Sequence, residues 1–313
     1  GEGIITILHF VIYFTILSAV FRTREDWYRY LFFAVSVTLT VGFYGLGQLL
    51  HLPIVIDPSN ARISGTIGNA SFFAAFLLFG AFLALYLLRE PKSFWHRIYL
   101  HFVFWFEIFL IFQSQTRGAL LAGIIAFLIY CVVNIFKAER NRVKVLSFVF
   151  LLAIILSGLT VYFNRNASWV RSNGTLYRLA TISTGDITTQ SRLDTWQASW
   201  RGWKERFWTG YGYENYNIAF NKYFPARIFK DQGSQIWFDR AHNIVLDVGT
   251  TSGLVGAAVY FGILIAAWSA LFNLFRNRAE VLGWQAPLIL GLGLLAYVLQ
   301  NLFVFDTQAT YLM

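Results

Sequence analysis

Hydrophobic positions form eight long runs in this chain, and polar positions gather in the segments between them. Each run approaches the roughly 20 residues that an α-helix needs to cross a lipid bilayer. The pattern therefore predicts an all-α fold, a polytopic membrane bundle of helices. The predicted spans are residues 3–21, 31–50, 70–88, 98–113, 119–136, 145–163, 252–275 and 284–303.

Composition supports a membrane protein and excludes an ordinary soluble globular domain. Hydrophobic residues make up 57% of the 313 positions, and charged residues only 13%. The spans divide the chain into six N-terminal spans (1–163), one large loop with short helices (164–243) and two C-terminal spans (244–313). The chain begins at Gly1 and ends where another span begins, so we expect it to be a piece of a longer protein.

The distribution of Lys and Arg over the short loops predicts the orientation of the bundle. One alternating set of short loops is rich in basic residues, and the other set carries only Arg62 and Arg117. The positive-inside rule therefore places the first set in the cytoplasm and the two arginines outside. The basic set comprises loops 22–29, 89–97, 137–144 and 276–280.

The large loop also falls on the outer side by alternation, although it carries 11 Lys and Arg against 6 Asp and Glu. A loop of this length is exempt from the positive-inside rule, so its basic surface needs another reason. Anionic lipid headgroups and an anionic substrate both supply one. Nucleic acid is excluded as a partner because the loop faces away from the cytoplasm.

Two arginines of the short outer loops precede or open a span. Arg117 stands in Ser114-Gln115-Thr116-Arg117-Gly118, in the first turn of the next helix or just before it. It is either an arginine that reaches the headgroups or an anion clamp that adds to the positive helix end. Arg62 lies before Gly65, Gly68 and Asn69, which also suit a plain turn capped by Asn69.

In the large loop, residues 190–196 are typical of a helix start. Ser191 is the predicted N-cap, and Asp194 stands three residues on in a shortened capping box. Arg192 would then occupy the first turn, where its charge does not help the helix, which favours an anion-binding role. Leu193, Trp196, Trp200 and Trp203 share one helix face, which we expect at the membrane interface or against the spans.

Two further motifs of the loop carry candidate chemistry. Gly210-Tyr211-Gly212 is a turn with flanking aromatic residues, which suits either a sugar-stacking surface or, as we favour, a structural turn. His242 precedes the next helix, and a neutral imidazole there can act as a base near pH 7. A hydrogen-bonding polar residue is the alternative. Asp247, five residues on, could orient the base or neutralise an arginine.

Metal and cofactor chemistry have no support in the sequence. It contains no HxxH, HExxH or DxD pattern, and the single cysteine, Cys131, lies inside a span. We therefore expect no metal site and no cofactor. Phosphate charge would be neutralised by arginine instead of a divalent ion.

Four motifs in order along the chain resemble the superfamily of O-antigen ligases and O-antigen polymerases, which are membrane glycosyltransferases. The resemblance extends over roughly residues 60–260. The motifs are Thr116-Arg117-Gly118-Ala119, Ser191-Arg192 followed by Trp196, Gly210-Tyr211-Gly212 followed by Asn215, and Ala241-His242-Asn243 followed by Leu246, Gly253 and Gly256.

The resemblance implies a GT-C-like membrane fold in a bacterial inner (cytoplasmic) membrane, with the large loop in the periplasm. It implies metal-independent transfer of a glycan from a polyprenyl-diphosphate carrier to an acceptor hydroxyl. Arg117 and Arg192 would bind the diphosphate, and His242 would be the base. The substrate-binding residues predicted beside them are Arg62, Asp247, Trp196, Tyr211 and Asn243.

The partners implied are the lipid-linked glycan donor, membrane lipids and an acceptor that is a glycolipid, a glycan or a protein. The sequence does not choose between lipid A core, a second glycan repeat and a protein Ser or Thr. Two other functions stay open: a transporter or flippase of lipid-linked saccharides, and a non-catalytic membrane scaffold.

Overall fold

The computed structural model describes residues 3–56, 62–183, 185, 187–226, 228, 237–277 and 283–311. Throughout these residues the chain folds into helices joined by turns and loops, with no β-strand. This confirms the prediction of an all-α membrane protein.

All eight predicted spans are helical. Six helices within the described ranges are long and apolar enough to cross a membrane: α2 (Arg24–Leu49), α3 (Ala70–Leu87), α4 (Phe94–Gln113), α5 (Arg117–Lys137), α6 (Asn141–Phe163) and α11 (Ile244–Asn277). Two shorter apolar helices of 17 residues are α1 (Ile4–Val20) and α12 (Gln285–Asn301). The remaining α-helices in the described ranges are α7 (Ser168–Arg171), α8 (Gly174–Ala180), α9 (Ile187–Glu205), α10 (Tyr216–Lys222) and α13 (Gln308–Tyr311), and Gly65–Ile67 form one 3-10 turn.

The helices form two compact units that combine segments distant in the sequence. Unit 1 consists of Gly1–Thr23, Ser183–Ala270 and Asn301–Leu312, and unit 2 of Arg24–Ile182 and Leu271–Gln300 with the last residue. The predicted division of the chain at residues 163 and 243 stays a prediction.

Unit 2 is a helical bundle whose core lies between α2, α3, α4, α5 and α12. Phe73 and Leu77 of α3 are fully buried against Leu110 of α4 and Ala119 of α5. Small residues let the helices approach closely: a Cβ at Gly45 would lie 2.5 Å from the Phe73 ring. Asn69 caps α3, as predicted, because its side chain accepts the N–H of Ser71 at 2.8 Å.

Unit 1 contains a smaller core where α9 and α10 meet the loop before α11. Its buried aromatic residues are Tyr216, Phe220 and Phe238, packed around Ala198 and Ala241. Burial removes these side chains from water and holds the segment next to His242 against α9 and α10.

Helix α11 is interrupted at Gly253, which has φ 64° and ψ −164°. The break leaves backbone groups that a regular helix would satisfy, and the segment 207–212 pairs with them. Tyr211 and Gly212 donate their N–H groups to the carbonyls of Thr250 and Thr251 at 2.9 and 2.8 Å. In return, the N–H groups of the two residues after the break, at 254 and 255, bond to the carbonyls of residues 207 and 208. The continuous apolar part of α11 therefore begins after residue 253, close to the predicted start of that span at 252.

The predicted helix start at Ser191 is wrong. Helix α9 begins at Ile187, and the carbonyl of Ser191 accepts the Thr195 hydroxyl at 2.7 Å inside the helix. The N-cap preference of serine is a local propensity of about 1 kcal/mol, which continuing helix on both sides overrides. Arg192 is therefore the sixth helical residue, beyond the first turn where the helix dipole acts.

Candidate active site

The candidate site of unit 1 is built around His242, in the turn that leads into α11. His242 has φ 50°, a left-handed conformation that a non-glycine residue adopts only when its surroundings hold it there. Its ring lies edge-on to the rings of Phe238 and Phe305, with centroids 5.5 and 5.3 Å away. The imidazole is thus held between two aromatic side chains and is half-buried.

The hydrogen bond of His242 selects its tautomer. Nδ1 lies 3.2 Å from the carbonyl oxygen of Arg240, which can only accept a hydrogen bond. Nδ1 must therefore carry the proton, and in the neutral ring Nε2 keeps its lone pair. This is the protonation state that a general base requires.

The surroundings also favour the neutral form of the imidazole. Burial lowers the pKa of His242 below its usual value, and the nearby positive charge of Arg192 lowers it further. The carbonyl of Arg240 and the charge of Asp239 act in the opposite sense, but the net shift of the pKa is downward. Arg192 thus lies close enough to His242 for its positive charge to disfavour the imidazolium.

Arg240 and Asp247 form a buried ion pair beneath the His242 turn. Nη1 of Arg240 lies 3.1 Å from Oδ2 of Asp247, and their side chains are only 11% and 4% exposed. Oδ1 of Asp247 accepts the backbone N–H of Ala241 at 2.9 Å. Both carboxylate oxygens are engaged within the protein, so Asp247 holds the turn and neutralises an arginine. Its contact with substrate stays a prediction.

Asn243 also has a structural contact at each end of its amide. Its Oδ1 accepts the N–H of Leu246 at 3.1 Å, and its Nδ2 donates to the carbonyl of Leu302 at 3.0 Å. It therefore caps the start of α11 and ties it to the segment after α12. This geometry disfavours the predicted substrate contact of Asn243, because its polar atoms already have partners.

The segment after α12 contributes to the site, and no local pattern in the sequence pointed to it. The carboxylate of Asp306, 3% exposed, accepts the Tyr260 hydroxyl and the Asn301 amide, each at 2.7 Å. These bonds fix the chain around Phe305, whose ring packs against His242 and lies 5.5 Å from the Arg240 guanidinium. Arg240 was missed as well, although it stands two residues before His242.

Helix α9 presents Arg192 and Trp196 four residues apart, hence on one face. Trp196 is half-buried, and its indole N–H is buried without a hydrogen-bond partner among the residues that the structure describes. Buried donors are normally satisfied, so this one is available to an oxygen atom of a ligand. The predicted role of Trp196 in binding stays a prediction, with this donor in its favour.

Tyr211 does not present a sugar-stacking face. It is 8% exposed, its hydroxyl donates to Glu205 at 2.8 Å, and the Arg206 guanidinium lies 4.6 Å above its ring. Burial and the Glu205 carboxylate raise the pKa of Tyr211 to about 12. Hydrogen bonds from Lys222, Tyr223 and Tyr211 lower the pKa of Glu205 to about 2. The Gly-Tyr-Gly motif is therefore a structural turn.

Unit 2 carries the other two predicted arginines on adjoining loops. Arg62 donates from Nε to the carbonyl of Ser114 at 2.9 Å and from Nη2 to the hydroxyl of Thr116 at 2.8 Å. Thr116 immediately precedes α5, which begins at Arg117, two residues before the predicted start of the span at 119. The guanidinium of Arg62 thus satisfies a carbonyl at the end of α4 and fixes the loop that presents the half-buried Arg117.

Helix α8 packs against the same loop. Gln115 has φ 54°, and a Cβ at Gly174 would lie 2.7 Å from its side-chain nitrogen. The Thr175 hydroxyl donates to the carbonyl of Phe112 at 2.6 Å. The backbone before Arg117 is thereby held from two sides, by Arg62 and by α8.

Two comparisons with known proteins bear on this site. The family model described as O-antigen ligase matches residues 102–261. The general O-oligosaccharyltransferase of Acinetobacter baylyi is 26% identical over 257 residues, which cover 80% of this chain and 43% of that protein. The chain thus matches less than half the length of this relative. The family match extends from α4 into α11 and includes Arg117, Arg192 and His242.

Proposed function

The chain belongs to the O-antigen ligase family, and from that premise we propose that it transfers a glycan from a polyprenyl-diphosphate carrier to an acceptor hydroxyl. The reaction takes place on the outer, periplasmic side of the bacterial inner membrane and needs no metal. The resemblance to a general O-oligosaccharyltransferase makes a protein hydroxyl one of the acceptors to test.

The observation that carries the proposal is the state of His242. Its Nδ1 is held by the Arg240 carbonyl, its Nε2 lone pair can take a proton, and its pKa is lowered. In the proposed step, Nε2 removes the proton of the acceptor hydroxyl as that oxygen bonds to the anomeric carbon. The bond from this carbon to the diphosphate oxygen breaks, and its electron pair leaves with the diphosphate. Direct displacement of this kind inverts the anomeric centre.

Arg192 supplies positive charge for the leaving diphosphate. Guanidinium groups suit phosphate oxygens because they donate two parallel hydrogen bonds, and charge stabilisation of this kind is often the largest catalytic contribution. The indole N–H of Trp196, which lies four residues further along α9 and has no partner within the described part of the chain, adds a donor for the same substrate. We propose Arg117 and Arg62 of unit 2 as further diphosphate ligands, on the strength of the family resemblance.

A cavity in unit 2 supports a carrier with a long hydrocarbon chain. It has a volume of about 290 Å³ and is lined by apolar side chains of α3, α4, α5, α6 and α12. Along α5 it runs from Ala119, two residues after Arg117, to Tyr130, which is about 16 Å at the helical rise. An isoprenoid tail fits such a slot, and its diphosphate would lie at the arginine end.

The flippase alternative predicts discontinuous spans, and α11 is discontinuous at Gly253. The backbone of residues 207–212 fills that break with four hydrogen bonds. The interruption is thus occupied by the protein itself, which favours a structural role over a transport path.

Reconstitution separates the three functions. The purified protein in vesicles receives a polyprenyl-diphosphate glycan together with a peptide, a glycan or a lipid A core acceptor. We expect glycan on one acceptor and loss of that product in the Arg192→Ala variant. Movement of the carrier between leaflets with no glycosylated acceptor would support a flippase instead. A protein that does neither, yet binds a partner through the loop, would be a scaffold.

A further inference from the structure

Three exposed aromatic side chains lie together at the end of α9: Trp200, Phe207 and Trp208, here called the aromatic patch. They are 49%, 41% and 65% exposed. Trp203 links them, since its ring contacts those of Trp200 and Phe207 at centroid distances of 5.7 and 6.4 Å. Single exposed aromatic residues are ordinary, but a contiguous patch marks an interaction surface.

The patch is fixed to α11 at the point where its lipid-facing part begins. The carbonyls of Phe207 and Trp208 accept the N–H groups of Leu254 and Val255 at 2.7 and 3.3 Å. Trp203 packs so tightly on Gly249 that a Cβ there would lie 2.4 Å from its ring. The patch therefore lies level with the first residues after the break at Gly253.

Beyond the break, α11 exposes a row of large aliphatic side chains. Val255, Val259, Ile263 and Ile265 are between 58% and 66% exposed. On a helix long enough to span a membrane, such a face contacts the hydrocarbon of the bilayer. The aromatic patch thus continues a lipid-facing surface at its end, which is the depth that tryptophan prefers.

Basic side chains border the patch. The ammonium group of Lys204 lies 5.7 Å from the Trp200 ring, and the exposed Arg206 covers Tyr211. The acid between them, Glu205, is paired with Lys222. The border is therefore positively charged, which suits anionic headgroups.

We infer that the aromatic patch and its basic border are a docking surface for the headgroup region of an anionic phospholipid bilayer. The patch sets the depth of unit 1 through α11. The first nine residues of this helix, 244–252, connect the patch to His242. This surface is independent of the transferase activity, so the two proposals fail separately.

Depth measurement on the full chain in vesicles tests the surface. Nitroxide labels are placed by Trp200→Cys and Trp208→Cys in a Cys131→Ala background. Trp237→Cys is the matched control, because Trp237 is also 49% exposed but lies on the His242 side of residues 244–252. We expect labels at 200 and 208 to be accessible to oxygen and shielded from a water-soluble nickel reagent, and the label at 237 to show the reverse.

The lipid preference is tested with a fluorophore on the thiol of the Trp208→Cys variant and with quencher-bearing lipids. We expect phosphatidylglycerol carrying the quencher to act more strongly than the phosphatidylcholine form. Replacing Lys204 and Arg206 by glutamate should remove the difference, since each basic residue contributes about five-fold near an anionic surface. Labels at 200 and 208 as open to water as the control would overturn the docking surface, and equal quenching by the two lipids would overturn its anionic preference.

Discussion

Asp247 accepts the backbone N–H of Ala241 at 2.9 Å, and so its carboxylate holds the residue directly before His242. The other carboxylate oxygen pairs with Arg240, whose carbonyl in turn accepts a hydrogen bond from His242. One buried ion pair thus fixes both the left-handed turn and the tautomer of the proposed base. The Arg240–Asp247 pair therefore links the packing of unit 1 to the proposed role of His242 as a base.

Removing Asp247 should harm stability and catalysis together, whereas removing the whole pair should separate them. Asp247→Ala removes the carboxylate that pairs with the buried guanidinium of Arg240, a loss of about 3–5 kcal/mol. The double variant Arg240→Leu with Asp247→Leu should recover much of that stability. It should still transfer slowly, because Ala241 N–H has lost its acceptor.

Thermal unfolding in detergent measures the change in stability, and kcat measures the change in the rate of transfer. The donor KM should change little in the double variant, since Asp247 acts through the turn. Full kcat in the double variant would show that the pair serves folding alone.

The pH dependence of transfer should reflect the lowered pKa of His242. The base must be neutral, so kcat/KM should rise with pH and reach half its maximum below pH 6.5, the usual pKa of histidine. Arg192→Gln removes a positive charge that disfavours the imidazolium. The pKa of His242 then rises, and the acid limb moves to higher pH.

The quantity to compare is the midpoint pH of the acid limb of kcat/KM, and not the size of kcat/KM, since Arg192→Gln also weakens donor binding. Arg201→Gln, on the same helix, is the control and should leave the limb in place. If the variant is too slow to assay, ¹³C NMR of labelled histidine gives the same titration. An unchanged midpoint in Arg192→Gln would argue against proximity of the two charges in the working enzyme.

The break in α11 should be intolerant of a side chain at Gly253. Its φ is 64°, and a Cβ would lie 2.4 Å from the backbone of Trp208. Gly253→Ala should lower stability by about 1–3 kcal/mol or more, as strain in this region of φ and ψ costs that much. Gly262→Ala is the matched control, because no atom of the described residues lies within 4 Å of a Cβ there. Equal melting temperatures for the two variants would contradict the close contact between Gly253 and the backbone of Trp208.

Arg62→Lys should weaken donor binding while keeping the charge. Lysine cannot reproduce the two guanidinium bonds to Ser114 and Thr116, so the loop before Arg117 becomes less ordered. One charged hydrogen bond is worth about 1.5–3 kcal/mol, which corresponds to roughly a ten-fold rise in donor KM or more. Arg171→Lys, an exposed arginine bonded to Asn166, should have no such effect. A normal donor KM in Arg62→Lys would contradict a role of Arg62 in donor binding.

The sequence predicted the membrane architecture well, because the bilayer sets a minimum length for each apolar run. The start of the continuous part of α11 was predicted within two residues for the same reason. The start of α9 was not, since the preference of Ser191 for a cap is weak beside the helix that surrounds it. Capping residues predict the end of a helix only where no stronger contact determines its position.

Much of the candidate site lies beyond local sequence signals. His242 and Arg192 could be found because their residue types and motifs are distinctive. Phe305 and Asp306 could not, because their contacts with His242 and Tyr260 join segments 46 or more residues apart. The engagement of Tyr211, Asn243 and Asp247 by neighbouring groups likewise appears only when the chain is folded.

The assignment of His242 as the base is decided by the transfer rate of His242→Ala. The measurement is single-turnover transfer in vesicles with saturating donor, with His101→Ala as a control on an exposed histidine of α4. General-base catalysis predicts a rate lower by about 10²–10⁴-fold, with donor binding retained and part of the rate restored by added imidazole. A folded His242→Ala protein that transfers glycan as fast as the His101→Ala control would show that His242 is not the base.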